Sequence, residues 1–126
     1  MRIDERSGIR VLHLDAEGEP ISTSDDASDL VGTAWSHQAT MIAVPTERLD
    51  PEFFRLRSGI AGEITQKVVN YRLCLAVVGD IADQVAKSDA LRDYVRESNR
   101  GDHVWFVESE VELDRKLADR AAVHAR

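Results

Sequence analysis

Three short apolar runs constrain this chain more than any other feature: "TMIAVP" at 40–45, "LCLAVVGD" at 73–80 and "HVWFV" at 103–107. Each is too short for a buried helix and rich in branched or aromatic residues, so each reads as a buried strand. Between them apolar residues recur at helical spacing. Strands that alternate with helices pair in parallel through right-handed crossovers, so the expected fold is a single α/β domain. Its sheet should be mixed and mostly parallel, with about five strands and about four helices.

Ahead of the first run, "IRVLHLD" from Ile9 reads as another strand, and "AEGEP" supplies a hairpin turn into the short "IST". Ser24 is placed to cap a first helix over 25–37, with Ala27, Leu30, Val31, Ala34 and Trp35 at its apolar spacing. Asp50 and Pro51 mark a helix start, the carboxylate as cap and the proline where a missing N–H costs nothing. Ser88 opens a helix with Ala90, Leu91, Tyr94 and Val95 on one side, and Gly101 closes it in the left-handed conformation. Ser109 and Glu112 have the spacing of a capping box for a terminal helix through Leu113 and Leu117. The expected domain is 9–120, with residues 1–8 flexible and residues 121–126 frayed.

At 126 residues one core is expected, burying roughly two-thirds of the unfolded surface. The net charge of −7 disfavours a nucleic-acid partner, because phosphate binding depends on lysines and arginines releasing counterions. No apolar run approaches the length of a bilayer span, so a membrane partner is not expected, and "MRIDERSG", acidic and without an apolar segment, reads as neither a secretory signal nor a transit peptide. A single cysteine, Cys74, allows no internal disulfide and suits a cytoplasmic location; within its apolar strand it reads as an inert core residue. The charge is uneven. Residues 48–72 hold five basic side chains (Arg48, Arg55, Arg57, Lys67, Arg72) against three acidic ones (Asp50, Glu52, Glu63).

That locally positive segment contains "RSGIAGEITQKVVNY". On a helix from about Gly59 to Tyr71, Gly59, Glu63, Gln66, Lys67 and Asn70 share one stripe, and Ile60, Ile64, Val68 and Tyr71 share another that reads as the core face. The polar stripe is either a solvated surface, with Glu63 and Lys67 as an ordinary i, i+4 pair, or an interaction surface. Two glycines inside a helix are costly, at about 1 kcal/mol each relative to alanine. Gly59 and Gly62 therefore mark either a break at Ser58, where a new helix begins, or a place where another helix crosses. Asp80 ends a strand, where α/β sheets bind ligands, and also has the chemistry of a turn. Arg100 in "ESNRG" is an anion-binding candidate beside an ordinary helix end. His13, His37, His103 and His124 are scattered, no zinc-ligand spacing occurs, and "SGIAG" lacks the lysine of a phosphate loop, so no metal or cofactor is expected.

"FFRLRSGIAGEITQKVVNYR", "LCLAVVGD" and "LRDYVRESNRG" together resemble, in order and spacing, the bacterial domain of unknown function 4180 family. The resemblance covers most of the chain and implies no activity. By it, Gly59, Gly62, Glu63, Gln66, Lys67, Asn70, Tyr71, Gly79, Asp80, Glu97, Asn99, Arg100 and Gly101 match motif positions. Ser58 stands where the pattern has threonine, and Val69 where it has an aromatic residue. More distantly, the element order resembles the STAS-like domains, small cytoplasmic modules that act by docking a partner and are in some cases switched by phosphorylation at a helix start. Ser58 and Ser88 are the hydroxyls so placed here. Two functions stand as expectations. One is a regulatory module docking a partner protein, or a second copy of itself, through the helix around 55–71. The other is a small-molecule binder or enzyme using Glu63, Gln66, Asn70 and Asp80 around a pocket at the carboxyl ends of the strands.

Overall fold

The computed structural model describes residues 1–124. β1 (Arg2–Arg6) and β2 (Ile9–His13) form a hairpin, and α1 (Ser24–Ser36) leads to β3 (Met41–Pro45). Three 3-10 turns (Thr46–Arg48, Pro51–Phe54 and Leu56–Ser58) precede α2 (Ile60–Asn70). β4 (Cys74–Val78) is followed by a short α3 (Ala82–Ala86) and α4 (Asp89–Arg100), and β5 (Val104–Val107) by α5 (Glu110–His124). The strands lie in the order β1-β2-β3-β4-β5, with β1 antiparallel to β2 and the remaining neighbours parallel. The chain is a single α/β domain with a mostly parallel mixed sheet; α3 is the helix beyond the expected four.

Each crossover steps to the next strand in the same direction, so right-handed connections place their helices on one face of the sheet. Leu12, Ile42, Val44, Leu75, Val77 and Phe106 point to that face and form the larger core with Ala27 and Val31 of α1, Ile64 and Val68 of α2, and Leu91 of α4. Phe53 is fully buried there, its ring 5.2 Å from that of Phe54 and 6.4 Å from that of Phe106. The alternate strand residues Val11, Met41, Ala43, Ala76, Trp105 and Val107 meet Leu113 and Leu117 of α5 on the opposite face. Among the described residues, no helix is long and apolar enough to cross a membrane.

Several local expectations are corrected. Residues 1–8 are not loose: β1 pairs with β2 along its whole length, through a turn at Ser7 and Gly8. The partner of β2 in the hairpin is therefore β1, and Ile21 instead makes a single parallel bridge to Leu49. Thr23, not Ser24, caps α1, in a full capping box with Asp26. The N–H of Ser22 holds the Asp26 carboxyl below its ordinary range, against a burial penalty and with help from Thr23. Asp50 does cap, accepting from Glu52 N–H at 2.9 Å, but the segment it opens is a single 3-10 turn. Gly101 closes α4 with an extended backbone, at φ −90° and ψ −171°. Ser109 accepts from Glu112 N–H, while Glu112 returns to Glu108 N–H, one residue earlier than a capping box requires. Residues 121–124 continue α5; residues 125–126 of the expected frayed tail lie outside the described residues.

Cys74 is also not a core residue. It opens β4 half-buried, its S–H donating to Asp102 O at 3.3 Å and its sulfur accepting from Arg120 Nη1 at 3.7 Å.

Gly79 carries the chain out of β4 at φ +147°, and a Cβ there would run into the Thr46 hydroxyl and its methyl group. Backbone strain and overlap act together, so Gly79→Ala is expected to lower stability by about 1–3 kcal/mol in urea denaturation. An unchanged midpoint would contradict this placement of the β4 exit.

Candidate functional site

The unusual helix explains itself in part. Gly59 sits at φ +79° as the N-cap of α2, a left-handed conformation that an L side chain adopts only with strain. Ser58 stabilises the break: its hydroxyl donates to Glu52 O at 2.7 Å and accepts from Ile60 N–H at 3.2 Å. The first glycine is thus a requirement of the backbone. The second is not. Gly62 lies exposed near the start of α2, and a Cβ there would meet nothing. Among the described residues, no neighbouring helix crosses at Gly62.

The polar stripe faces outward. Gly62, Glu63, Gln66 and Asn70 are exposed, and Gln66 Nε2 donates to Asn70 Oδ1 at 2.8 Å. Glu63 and Lys67 do not pair with each other, and among the described residues neither enters an ion pair, although i, i+3 pairs form elsewhere at Glu52–Arg55, Asp89–Arg92 and Glu97–Arg100. Lys67 leans over the ring of Tyr71 instead, its Nζ 6.0 Å from the centroid. The expected core stripe is shifted: Ile64 and Val68 are buried with Ala61 and Thr65, Ile60 is half-buried, and Tyr71 is 46% exposed. Thr65 is tolerated inside because its hydroxyl donates to Ala61 O at 2.7 Å and accepts from the Tyr94 hydroxyl at 3.3 Å.

Tyr71 meets a residue whose spacing in the sequence points to the core. Trp35, near the end of α1, is 61% exposed and packs edge-on against Tyr71 with ring centroids 6.1 Å apart. At about 100° per residue, Trp35 lies about 80° around the helix from Ala27, at the rim of the buried arc. That angle is the available signal. Ser28, Val31, Gly32, Trp35 and Tyr71 line an open cleft of about 260 Å³ between the two helices.

The pocket expected from Glu63, Gln66, Asn70 and Asp80 does not assemble. Asp80 is exposed at the β4 exit, where its Oδ1 accepts from Ala82 N–H at 2.8 Å, and the hollow beside it is lined by Ile81, Val85, Asn99, Phe106 and Glu112 but by none of the other three. Arg100 is exposed and paired with Glu97 at 3.1 Å. Its neighbour Asn99 holds α4 to β5, accepting from Phe106 N–H at 2.7 Å and donating to Phe106 O at 3.2 Å. Ser88 is half-buried and caps α4, accepting from Leu91 N–H at 3.1 Å.

A different polar cluster does occupy the carboxyl ends of β2, β3 and β4. His13 is 6% exposed; its Nε2–H donates to Asp4 at 2.9 Å, and its Nδ1 lies 3.4 Å from Glu110 Oε1. Arg6 bridges Asp4 and Asp114, and Arg2 pairs with Glu110. Burial pushes the Asp4 carboxyl up, but hydrogen bonds from Arg6 and His13 outweigh that and hold it below the ordinary carboxylate range. Beside them is a cavity of about 300 Å³ lined by Arg2, His13, Asp15, Pro45, Val78 and Glu110, among others. Sequence reading misses it because Asp4, His13 and Glu110 lie on three separate elements. Among the described residues, no group of three or more His, Cys, Asp or Glu side chains could hold a metal ion.

Residues 6–117 match the family model described as Domain of unknown function (DUF4180). The chain belongs to that family. No curated protein matches the chain, and no solved structure does. The DUF4180 match spans every element from the end of β1 into α5, and so contains both the α1–α2 face and the carboxyl-end cluster apart from the first residues of β1.

This geometry has two measurable consequences. Exposed and unpaired, Glu63 should tolerate Glu63→Gln with a stability change below about 1 kcal/mol in a chemical melt; a larger loss would mean that the helix face is buried. Asp4 behaves oppositely. Because its folded pKa is depressed, its contribution is present above the unfolded value near about pH 4 and is lost as pH falls through the lower folded value. Asp4→Asn should therefore lower stability at neutral pH and flatten the acid limb of a stability-versus-pH curve. An acid limb identical to wild type would remove Asp4 from that role.

Proposed function

We propose that this DUF4180 chain is a docking module that binds a partner protein through the outer face of α1 and α2, anchored by Trp35 and Tyr71. The observation that carries this reading is the exposed, edge-packed pair of aromatic rings at the cleft between the helices. Tryptophan and tyrosine combine a large apolar area with few rotors, which is why they dominate the binding energy of protein interfaces. Around them the surface is shaped for contact. Gly32 and Gly62 leave room for close approach, and Glu63, Gln66 and Asn70 supply polar groups of the kind that rim an interface. Gly62 lowers helix propensity without serving the fold, as expected where something outside the chain must approach.

A cytoplasmic, regulatory role rests on analogy of element order with STAS-like domains, whose action is docking. Of the two candidate hydroxyls, Ser58 is the exposed one. A phosphate there would break its bond to Glu52 O and stand at the start of α2, where free N–H groups favour negative charge.

The His13 cavity supports a second reading, binding of a small molecule. It is at the lower end of the size of ligand pockets, and it lies beyond the carboxyl ends of parallel strands, the usual place for ligands in such sheets. In this reading the pocket is lined by His13, Arg2 and Glu110 and not by Glu63, Gln66 and Asn70.

Photo-crosslinking in the native cell tests the docking reading, with the reactive group placed at Gln66 on the proposed face or at Arg115 on the opposite side of the domain. The expected result is a discrete adduct from position 66 that Trp35→Ala abolishes, with no matching adduct from position 115. No adduct from position 66, or one indifferent to Trp35→Ala, would count against the docking face.

A further inference from the structure

Resting on the docking reading, we infer that the partner on this face is a second copy of the chain, joined through antiparallel packing of α2 against α2 across a two-fold axis. Such an interface must be self-complementary, because each residue i that meets j is matched by j meeting i. The charges on the α2 face meet that condition. Glu63 and Lys67 sit one turn apart, and among the described residues both are free of ion pairs. A two-fold axis perpendicular to α2 and midway between them sets Glu63 of each copy against Lys67 of the other, making two reciprocal pairs. The same axis also matches size. It brings Tyr71 of one copy to the level and side of Gly59 in the other, and Asn70 to those of Ile60. Gly59, which has no side chain, therefore leaves room for the Tyr71 ring of the other copy.

A strongly acidic partner of another kind would meet Glu63 as a like charge, whereas a second copy presents Lys67 to it. Trp35 and Tyr71 lie on the α1 side of α2, so each copy lays its ring pair along the flank of the other and removes it from water.

Sedimentation velocity over a range of concentrations tests the inference on four proteins: wild type, Glu63→Lys, Lys67→Glu and the double exchange Glu63→Lys with Lys67→Glu. Both positions lie on the outer face of α2, and circular dichroism checks that each protein is folded. The expected result is a wild-type dimer. Each single reversal creates two like-charge contacts and should weaken association by about tenfold or more, and the double exchange should restore it. A wild-type chain that stays monomeric, or a dimer that ignores the reversals, overturns the two-fold α2 interface. The crosslinking experiment separates that failure from failure of the docking reading. A Trp35-dependent adduct with a different protein keeps the docking face and removes self-association, and no Trp35-dependent adduct at all removes both.

Discussion

The handedness of the strand connections is the constraint on which the rest of this molecule depends. Four parallel strands laid down in sequence order, each crossover turning the same way, must carry their helices on one face. That places α1 and α2 side by side with their inner faces on the sheet, through Val31 and Ala34 on one and Ile64 and Val68 on the other. Their outer faces are then fixed as well, without further choice. Trp35 and Tyr71 become neighbours because both helices end at the same level of the sheet, and the cleft between them results from that adjacency.

The opposite face has a different problem. Among the described residues only α5 covers it, since no crossover returns to that side. The ion network around His13 fastens the covering helix to the edge hairpin: Arg6 reaches Asp114, Arg2 reaches Glu110, and His13 lies between Asp4 and Glu110. Arg6 is half-buried, and although burial lowers its pKa, the carboxylates of Asp4 and Asp114 raise it overall, so the guanidinium remains charged. This network also explains why the first residues form a strand despite their charge. Asp4 and Arg6 face α5 and are paired there, while Ile3 packs against the larger core.

How much of this is legible in the sequence depends on the range of the interaction. Continuous apolar runs are local signals, and β3, β4 and β5 lie where those runs stand. Caps are nearly local, so Asp50 and Ser88 cap where their sequence places them, while Thr23 takes the role expected of Ser24 by one position. The polar stripe of α2 is legible as a stripe because helical periodicity fixes it. Whether Glu63 pairs with Lys67 is not, since rotamers of exposed side chains are not set by spacing. Trp35 misleads because an aromatic residue at helical spacing ordinarily belongs to the core, and only its angle at the rim of the buried arc says otherwise. The His13 cluster cannot be read at all. Its members are brought together by the pairing of β1 with β2 and the return of α5, contacts that span up to 108 residues.

The central claim is that the α1–α2 face is covered when the protein is at work. Hydroxyl-radical footprinting tests it directly, because Trp105 is buried and serves as an internal reference for Trp35 in the same chain. In dilute purified protein, Trp35 and Tyr71 should oxidise readily while Trp105 does not. In intact cells the account predicts that Trp35 and Tyr71 become protected relative to exposed residues of α5. Equal reactivity of Trp35 in the two settings would contradict it.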